Sequence, residues 1–247
     1  MLDMVRTPVV DVIVVRDDCL ACGSKSRFLD YLIGHAESYR GIREWVFGSS
    51  PATGYGQISL AHTCRRYGKT AVLFMAQRAL TKLHPYQQRG LSEGACYEWV
   101  PQGRLSVTQA RARRYAEAAP ETRHVLPIGL EHPLVLAAII TVARSLPIVP
   151  SEVWSVGSSG LLNRGLQAAW PDASCHVVQV GHAMSIYELG RARHHQSRYR
   201  FEDDTPVRER PPFPSVVTYD AKGWQPMLDW YEEHAASGPI LYWNVAG

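Results

Sequence analysis

The sequence predicts an α/β protein built on parallel sheet, and three observations carry that prediction. Short β-branched or aromatic runs alternate with longer helical segments along the whole chain. No hairpin signal separates one run from the next, so right-handed strand–helix–strand crossovers are expected. Several runs end in turns of small residues, the places where ligands bind in such sheets.

Taken in order, the first strand is "DVIVV" (11–15), preceded by a start whose Asp3 and Asp11 mark a strand rather than a secretory signal. A helix follows at 25–36, then the strand "EWVFG" (44–48) and a helix at 56–67. The strand "TAVLFM" (70–75), a helix at 83–92, the strand "CYEWV" (96–100) and a helix at 106–118 continue the alternation. "HVLPI" (124–128) leads to a helix at 132–145, whose run "PLVLAAIITVA" is long enough for a core helix and too short for a membrane span. "EVWSVG" (152–157), a helix at 160–169, "HVVQVG" (176–181), a helix at 184–193, a helix at 223–235 and "ILYWNV" (240–245) complete the set. Residues 190–214 break the rhythm and read as a long loop carrying Arg191, Arg193, Arg198, Arg200, Arg208 and Arg210. That loop is either a solvated excursion or a basic surface for an anionic substrate or partner.

Composition narrows the class. The 247 residues are 46% hydrophobic and 20% charged, ordinary for a soluble globular protein. A net charge of +3 is too small to argue for nucleic acid by itself. Five cysteines without regular spacing suggest a reducing compartment, and a cytoplasmic location is expected. Cys19 and Cys22 lack a second ligand pair, so no metal site is expected, and His194 and His195 read as solvent-exposed.

Two turns carry chemistry. In "VWSVGSSGLLNRGL", Gly157, Ser158, Ser159 and Gly160 let the backbone aim N–H donors at an anion on a helix N-terminus. Such a turn is also a common tight connection, and it has neither a Walker lysine nor a dinucleotide spacing. In "CLACGSKSRFLDYL", one of only four lysines, Lys25, sits at the head of a helix. A lysine amine can form a Schiff base with an aldehyde cofactor whose other end a phosphate cup would hold.

The order of these pieces resembles the fold-type II pyridoxal-phosphate enzymes, the tryptophan synthase β-like superfamily. The branch of 1-aminocyclopropane-1-carboxylate deaminase and D-cysteine desulfhydrase is nearest. "RDDCLACGSKSRFLDYLIG" is similar to that branch's Arg-Asp-Asp segment followed by Gly-Gly-Asn-Lys-x-Arg-Lys-Leu-Glu-Tyr-Leu. "SSPATGYGQISLA" resembles the Pro-Thr-Ser-Gly-Asn-Thr-Gly loop of the cysteine synthase side, and "LPIGLEHPLVLAAI" the deaminase's Pro-Ala-Gly-x-x-x-His-Pro-Leu-Gly. "VGSSGLLNRGL" resembles the cofactor phosphate loop, "VTYDAKGW" the Tyr-Glu-Gly-Lys segment, and "ILYWNVAG" the closing strand.

The resemblance implies two unequal lobes, each with a mainly parallel sheet flanked by helices: a smaller one at 36–130 and a larger one of 1–35 plus 131–247. Pyridoxal 5'-phosphate would lie between them. Lys25 would be its Schiff-base lysine, with Gly157, Ser158, Ser159 and Gly160 on its phosphate. Asp220 would face the pyridine nitrogen. Tyr55 would replace the asparagine that meets the ring hydroxyl, or pack on the ring. Asn244 would be a cofactor contact, with Asn244-Val245 standing where relatives carry His-Thr, which removes a hydroxyl. Thr53, Gly54 and Tyr55 would receive the substrate carboxylate, and Tyr219 would be an acid or base beside the substrate. Asp220 has an alternative reading as a helix N-cap.

The implied activity is lyase, deaminase or decarboxylase chemistry at the α carbon of an amino acid, in a homodimer. Two alternatives stay open. One is the same chemistry on an amino acid attached to thymine in DNA, as in bacteriophage hypermodification pathways (then in the host cytoplasm), with the arginines of 190–210 as the DNA contact. The other is a catalytically silent fold that binds the cofactor.

Overall fold

The β-branched run at 11–15 becomes the second strand of a six-stranded sheet in the computed structural model of the chain, which describes residues 1–101 and 103–247. In chain order the elements begin with β1 (Leu2–Arg6), β2 (Asp11–Arg16), α1 (Gly23–Asp30), β3 (Glu44–Phe47) and α2 (Gly56–Arg66). Next come β4 (Thr70–Ala76), α3 (Pro85–Ser92), β5 (Cys96–Val100), α4 (Leu105–Glu117), β6 (Arg123–Leu126) and α5 (Pro133–Arg144). The last are β7 (Glu152–Gly157), α6 (Leu161–Ala169), β8 (Ser174–Gln179), α7 (Ile186–Leu189), β9 (Arg193–Gln196), α8 (Trp224–Glu233) and β10 (Ile240–Asn244). The chain divides into two units, a larger one of residues 1–24 with 136–247 and a smaller one of residues 25–135.

The larger unit holds the sheet β1-β2-β10-β7-β8-β9. All its pairs are parallel except β1–β2. Strand β7 is buried along its whole length, as a central parallel strand covered on both faces should be. Val12, Val14, Trp154, Val156, Val178 and Tyr242 form one core with Trp224, Met227 and Tyr231 near or on α8. The smaller unit holds the parallel sheet β5-β4-β3-β6. Val46, Val72, Phe74 and Val100 pack there against Ala112 and Ala116 of α4.

Three features differ from the sequence expectation. A hairpin does occur, joining β1 to β2 in register Leu2↔Val15. Its turn is made by a side chain: Thr7 Oγ1 accepts from the Val10 N–H at 3.0 Å and donates to the Val10 carbonyl at 2.7 Å. The helix expected at 184–193 stops after Leu189, where Gly190 takes φ +59. The stretch read as a loop from 190 therefore contains β9, which pairs parallel with β8 at the sheet edge. Among the described residues no helix is long and apolar enough to cross a membrane.

Candidate functional site

In the larger unit, the carboxyl end of β7 runs into α6 through Gly157–Gly160. A Cβ on Gly157 would sit 2.8 Å from Val177 Cγ2, and Gly160 has φ +68 with the Glu188 carbonyl where a Cβ would go. Glycine is required at both for steric reasons. No side chain caps α6, so its first-turn N–H groups and their partial positive charge face out of the helix end. Ser159 is buried beside them, while Ser158 is half-buried.

Ser158 also lies beside the phenol of Tyr219, which donates to the Val156 carbonyl at 3.3 Å. Burial and the neighbouring Asp220 carboxylate push the Tyr219 phenol well above its ordinary range; the Ser158 contact offsets this only in part. Tyr219 is thus held protonated at neutral pH. It can donate a proton or hydrogen bond, and it does not stand ready as a base. Asp220 is fully buried in the short turn Asp220–Gly223, and its carbonyl accepts from Tyr242 Oη at 2.5 Å. The N-cap of α8 is Gly223, with no side-chain cap bond, so the helix-cap alternative for Asp220 does not hold.

Asn244 is fully buried and its amide is engaged on every side. It accepts from Ser215 Oγ and donates to Asp18 Oδ1 and the Pro214 carbonyl, each at 2.8 Å. Burial would raise the Asp18 carboxyl, but hydrogen bonds from Arg16 and Asn244 hold it below its usual range. The Arg-Asp-Asp segment is therefore structural. Arg16 bonds Asp3 and Asp18, while Asp17 accepts from Ser24 Oγ at 2.5 Å and from the Trp243 indole at 3.1 Å. These contacts fix the residue immediately before Lys25.

In the smaller unit, Lys25 stands half-buried in the first turn of α1. Its Cδ lies 3.8 Å from where a Cβ on Gly56 would be, and Leu130 Cδ1 lies 3.6 Å from the same point. Leu130 has φ +61, a conformation that costs a non-glycine residue about 1 kcal/mol or more. Strain is therefore stored next to the lysine chain. The loop from Ser50 to Gly56 is braced by the buried Gln57, whose Nε2 donates to the carbonyls of Ala52 at 2.9 Å and Gly54 at 2.8 Å. Thr53 Oγ1 is buried in this loop without a hydrogen-bond partner among the described residues. Tyr55 accepts from Arg89 Nη1 at 3.0 Å and meets Tyr86 edge-on at 5.3 Å. His132, in the "LEHP" segment, accepts the Leu134 N–H at Nδ1, which leaves Nε2 to donate to Tyr39 Oη at 2.8 Å.

The structure thus brings Ser158, Tyr219 and Asp220 together in one unit, and Lys25 to the Thr53–Gly56 loop in the other. Sequence reasoning missed Asp17 with Trp243, Leu130, and Arg89 behind Tyr55. Thr53 was foreseen, but its bare hydroxyl was not.

The arginines of 190–210 are mostly engaged within the chain. Arg191 donates to the Trp170 and Ala173 carbonyls past the end of α6, and Arg193 stacks on Trp230 at 4.6 Å. Arg198 pairs with Asp229 at 2.6 Å, Arg208 with Glu209 at 3.6 Å, and Arg210 donates to the Thr205 carbonyl at 2.8 Å. His194 is exposed as expected. His195 is not: its ring lies 4.7 Å from Trp154 and bonds His176 at 3.0 Å, because β9 turns it into the aromatic core. Cys19 is exposed and Cys22 buried, and no disulfide joins cysteines among the described residues.

No protein-family model matches the chain, and no curated protein matches it. Solved structures do. An ACC deaminase homologue superposes with a TM-score of 0.81 at 16% identity, over 96% of this chain and 84% of that one. O-ureido-L-serine synthase gives 0.71 at 11%, over 100% and 88%. Threonine deaminase isoform 2 of Solanum lycopersicum gives 0.67 at 14%, over 96% and 79%. Across nearly its whole length, the chain has the fold of the fold-type II pyridoxal-phosphate enzymes.

Proposed function

We propose that the chain is a pyridoxal-phosphate-dependent enzyme acting at the α carbon of an amino acid, of the lyase, deaminase or decarboxylase type. The observation that carries this reading is the bond from Tyr219 Oη to the Val156 carbonyl at 3.3 Å, which joins the end of β7, where the Gly157–Gly160 turn begins, to the Asp220 turn. The residues fit the cofactor. Gly157 and Gly160 allow the tight turn that brings α6 against β7 and Glu188, α6 offers uncapped N–H donors to a phosphate, and Asp220 is a buried carboxylate next to Tyr219.

When bound, the cofactor supplies an electron sink for bonds breaking at the substrate's α carbon. The protein does the rest. Asp220, fully buried, would face the ring nitrogen and favour its protonated form through charge complementarity. Lys25 would be the residue that holds the cofactor covalently, and its free amine would move the proton at the α carbon. Tyr219, kept protonated, would donate to the leaving or developing anionic atom. Tyr55, held by Arg89, supplies a hydroxyl donor, and Thr53 offers its buried hydroxyl to a carboxylate oxygen.

Incubation with pyridoxal phosphate, borohydride reduction and peptide mass spectrometry should place the adduct on Lys25, with none in Lys25→Ala. A protein that takes up no cofactor overturns the reading. Loss of the α proton in deuterated water, or release of ammonia or CO2, from free amino acids then identifies the substrate. Adduct formation with none of the three on any amino acid would point to the catalytically silent alternative. A DNA-linked substrate was expected to rest on residues 190–210, and the intramolecular contacts of those arginines favour a free amino acid over that arrangement.

A further inference from the structure

The whole-chain charge of +3 conceals a division. Residues 25–135 contain fifteen Lys and Arg against eight Asp and Glu, a net +7, so the remaining residues carry −4. Much of the excess lies on one element. Arg104, Arg111, Arg113 and Arg114 lie on or at the start of α4, and all four are exposed. None of them forms an ion pair among the described residues. Arg113 and Glu117 are spaced for an i,i+4 pair, and they do not make it. Arg78 and Lys82, also exposed, follow the carboxyl end of β4, against which Gly103 packs just before α4.

We infer that the exposed face of α4 is a docking surface for the phosphate backbone of duplex DNA. The opposite face, with Thr108, Ala112 and Ala116, is buried on the sheet, so the arginines are presented by a fixed rod. From Arg104 to Arg114 is about 15 Å of helix, a length over which duplex DNA carries roughly nine phosphates. Guanidinium pairs with phosphate through two parallel donors, which suits arginine better than lysine. Leu105 is the one large apolar side chain exposed on the helix, too little apolar surface for an amphipathic membrane helix. The helix is also tied to the candidate substrate loop. Thr108 Oγ1 donates to the Gly48 carbonyl at 2.6 Å, and Gln109 Nε2 donates to Ser49 Oγ at 3.1 Å. In the 190–210 segment only the Arg200 guanidinium has no intramolecular partner among the described residues, and the segment offers no comparable face.

The inference does not rest on the proposed cofactor chemistry, and it is tested without cofactor. A labelled mixed-sequence duplex of about two helical turns is titrated with the full chain, and anisotropy is read at 50 and 200 mM salt. Four phosphate contacts predict an affinity loss of about 150-fold between the two salts. In Arg111→Gln/Arg113→Gln/Arg114→Gln the same salt change should cost only about 3- to 4-fold, and binding at 50 mM should weaken at least about tenfold. Circular dichroism and melting check that this surface variant still folds. Arg198→Gln/Arg208→Gln should bind like the parent. No binding at 50 mM, loss in the second variant with retention in the first, or equal binding to phosphatidylserine vesicles at matched phosphate would each overturn the inference.

Discussion

Trp243 donates its indole N–H to Asp17 Oδ2 at 3.1 Å, joining residues 226 positions apart in the chain, and to Ser24 Oγ at 3.0 Å. Both Trp243 and Asp17 are fully buried, and the Ser24 N–H bonds the Val245 carbonyl at 2.8 Å. The last strand thereby sets the start of the helix that carries Lys25. Trp243→Phe keeps the ring but removes the donor from a buried carboxylate, at a cost of about 1–3 kcal/mol. Melting should fall by about 2–10 °C, and labelling of Lys25 by pyridoxal phosphate should slow. An unchanged labelling rate would confine the contact to stability.

Asp220→Asn is close to isosteric and leaves the Tyr242 bond to the backbone carbonyl intact. We expect cofactor uptake at Lys25 to persist while α-proton exchange falls at least about 100-fold, the loss typical of one preorganised electrostatic group. Nuclear magnetic resonance of the substrate in deuterated water measures it. Exchange at the parental rate would remove Asp220 from the chemistry.

Tyr55 offers a ring and a hydroxyl, and the structure engages both, the ring with Tyr86 and the hydroxyl with Arg89. Because Arg89 donates to Tyr55 Oη, the phenol proton is left to point elsewhere. Tyr55→Phe should therefore lower kcat/KM about tenfold or more, a typical share for one positioned donor. Full activity in Tyr55→Phe with loss in Tyr55→Ala would assign the role to the ring alone.

Acid should unfold the larger unit early. Burial and neighbouring positive charge lower both His176 and His195 to about 4, and Glu152 sits 3.7 Å from His176. In the unfolded chain both rings take up protons near pH 6.5, so between 6.5 and 4 the unfolded state binds more protons than the fold. Stability is therefore lost as pH falls from 6.5 toward 4. Melting scans across that range should show the decline, and His176→Gln/His195→Gln should flatten it.

Much of this was legible in the sequence because the signals were local. The strand at 152–157, the glycine turn and α6 follow one another within eighteen residues, and Lys25 announces itself at the head of a helix. β1 was hidden because Thr7 builds its turn with a hydroxyl, where an Asn-Gly pair would have shown it. β9 was hidden because "RHHQ" is polar throughout, and only the stacking of His195 on Trp154 and His176 explains its place. Contacts such as Trp243 with Asp17 have no local signature at all. The basic face of α4 went unseen for another reason, since a whole-chain charge averages two units of opposite sign.

Strand β10 lies between β2 and β7, pairing Ile240 with Val12 on one side and with Glu152 on the other. During synthesis on the ribosome, the amino-terminal strands must therefore wait for residue 244 before their sheet can close. Residues 25–135 have no such debt, since all four of their strands are made in one continuous stretch. The nascent chain would carry a folded, arginine-rich unit ahead of an open sheet edge. Insertion of β10 between β2 and β7 would set the moment at which the Lys25 helix is locked in place.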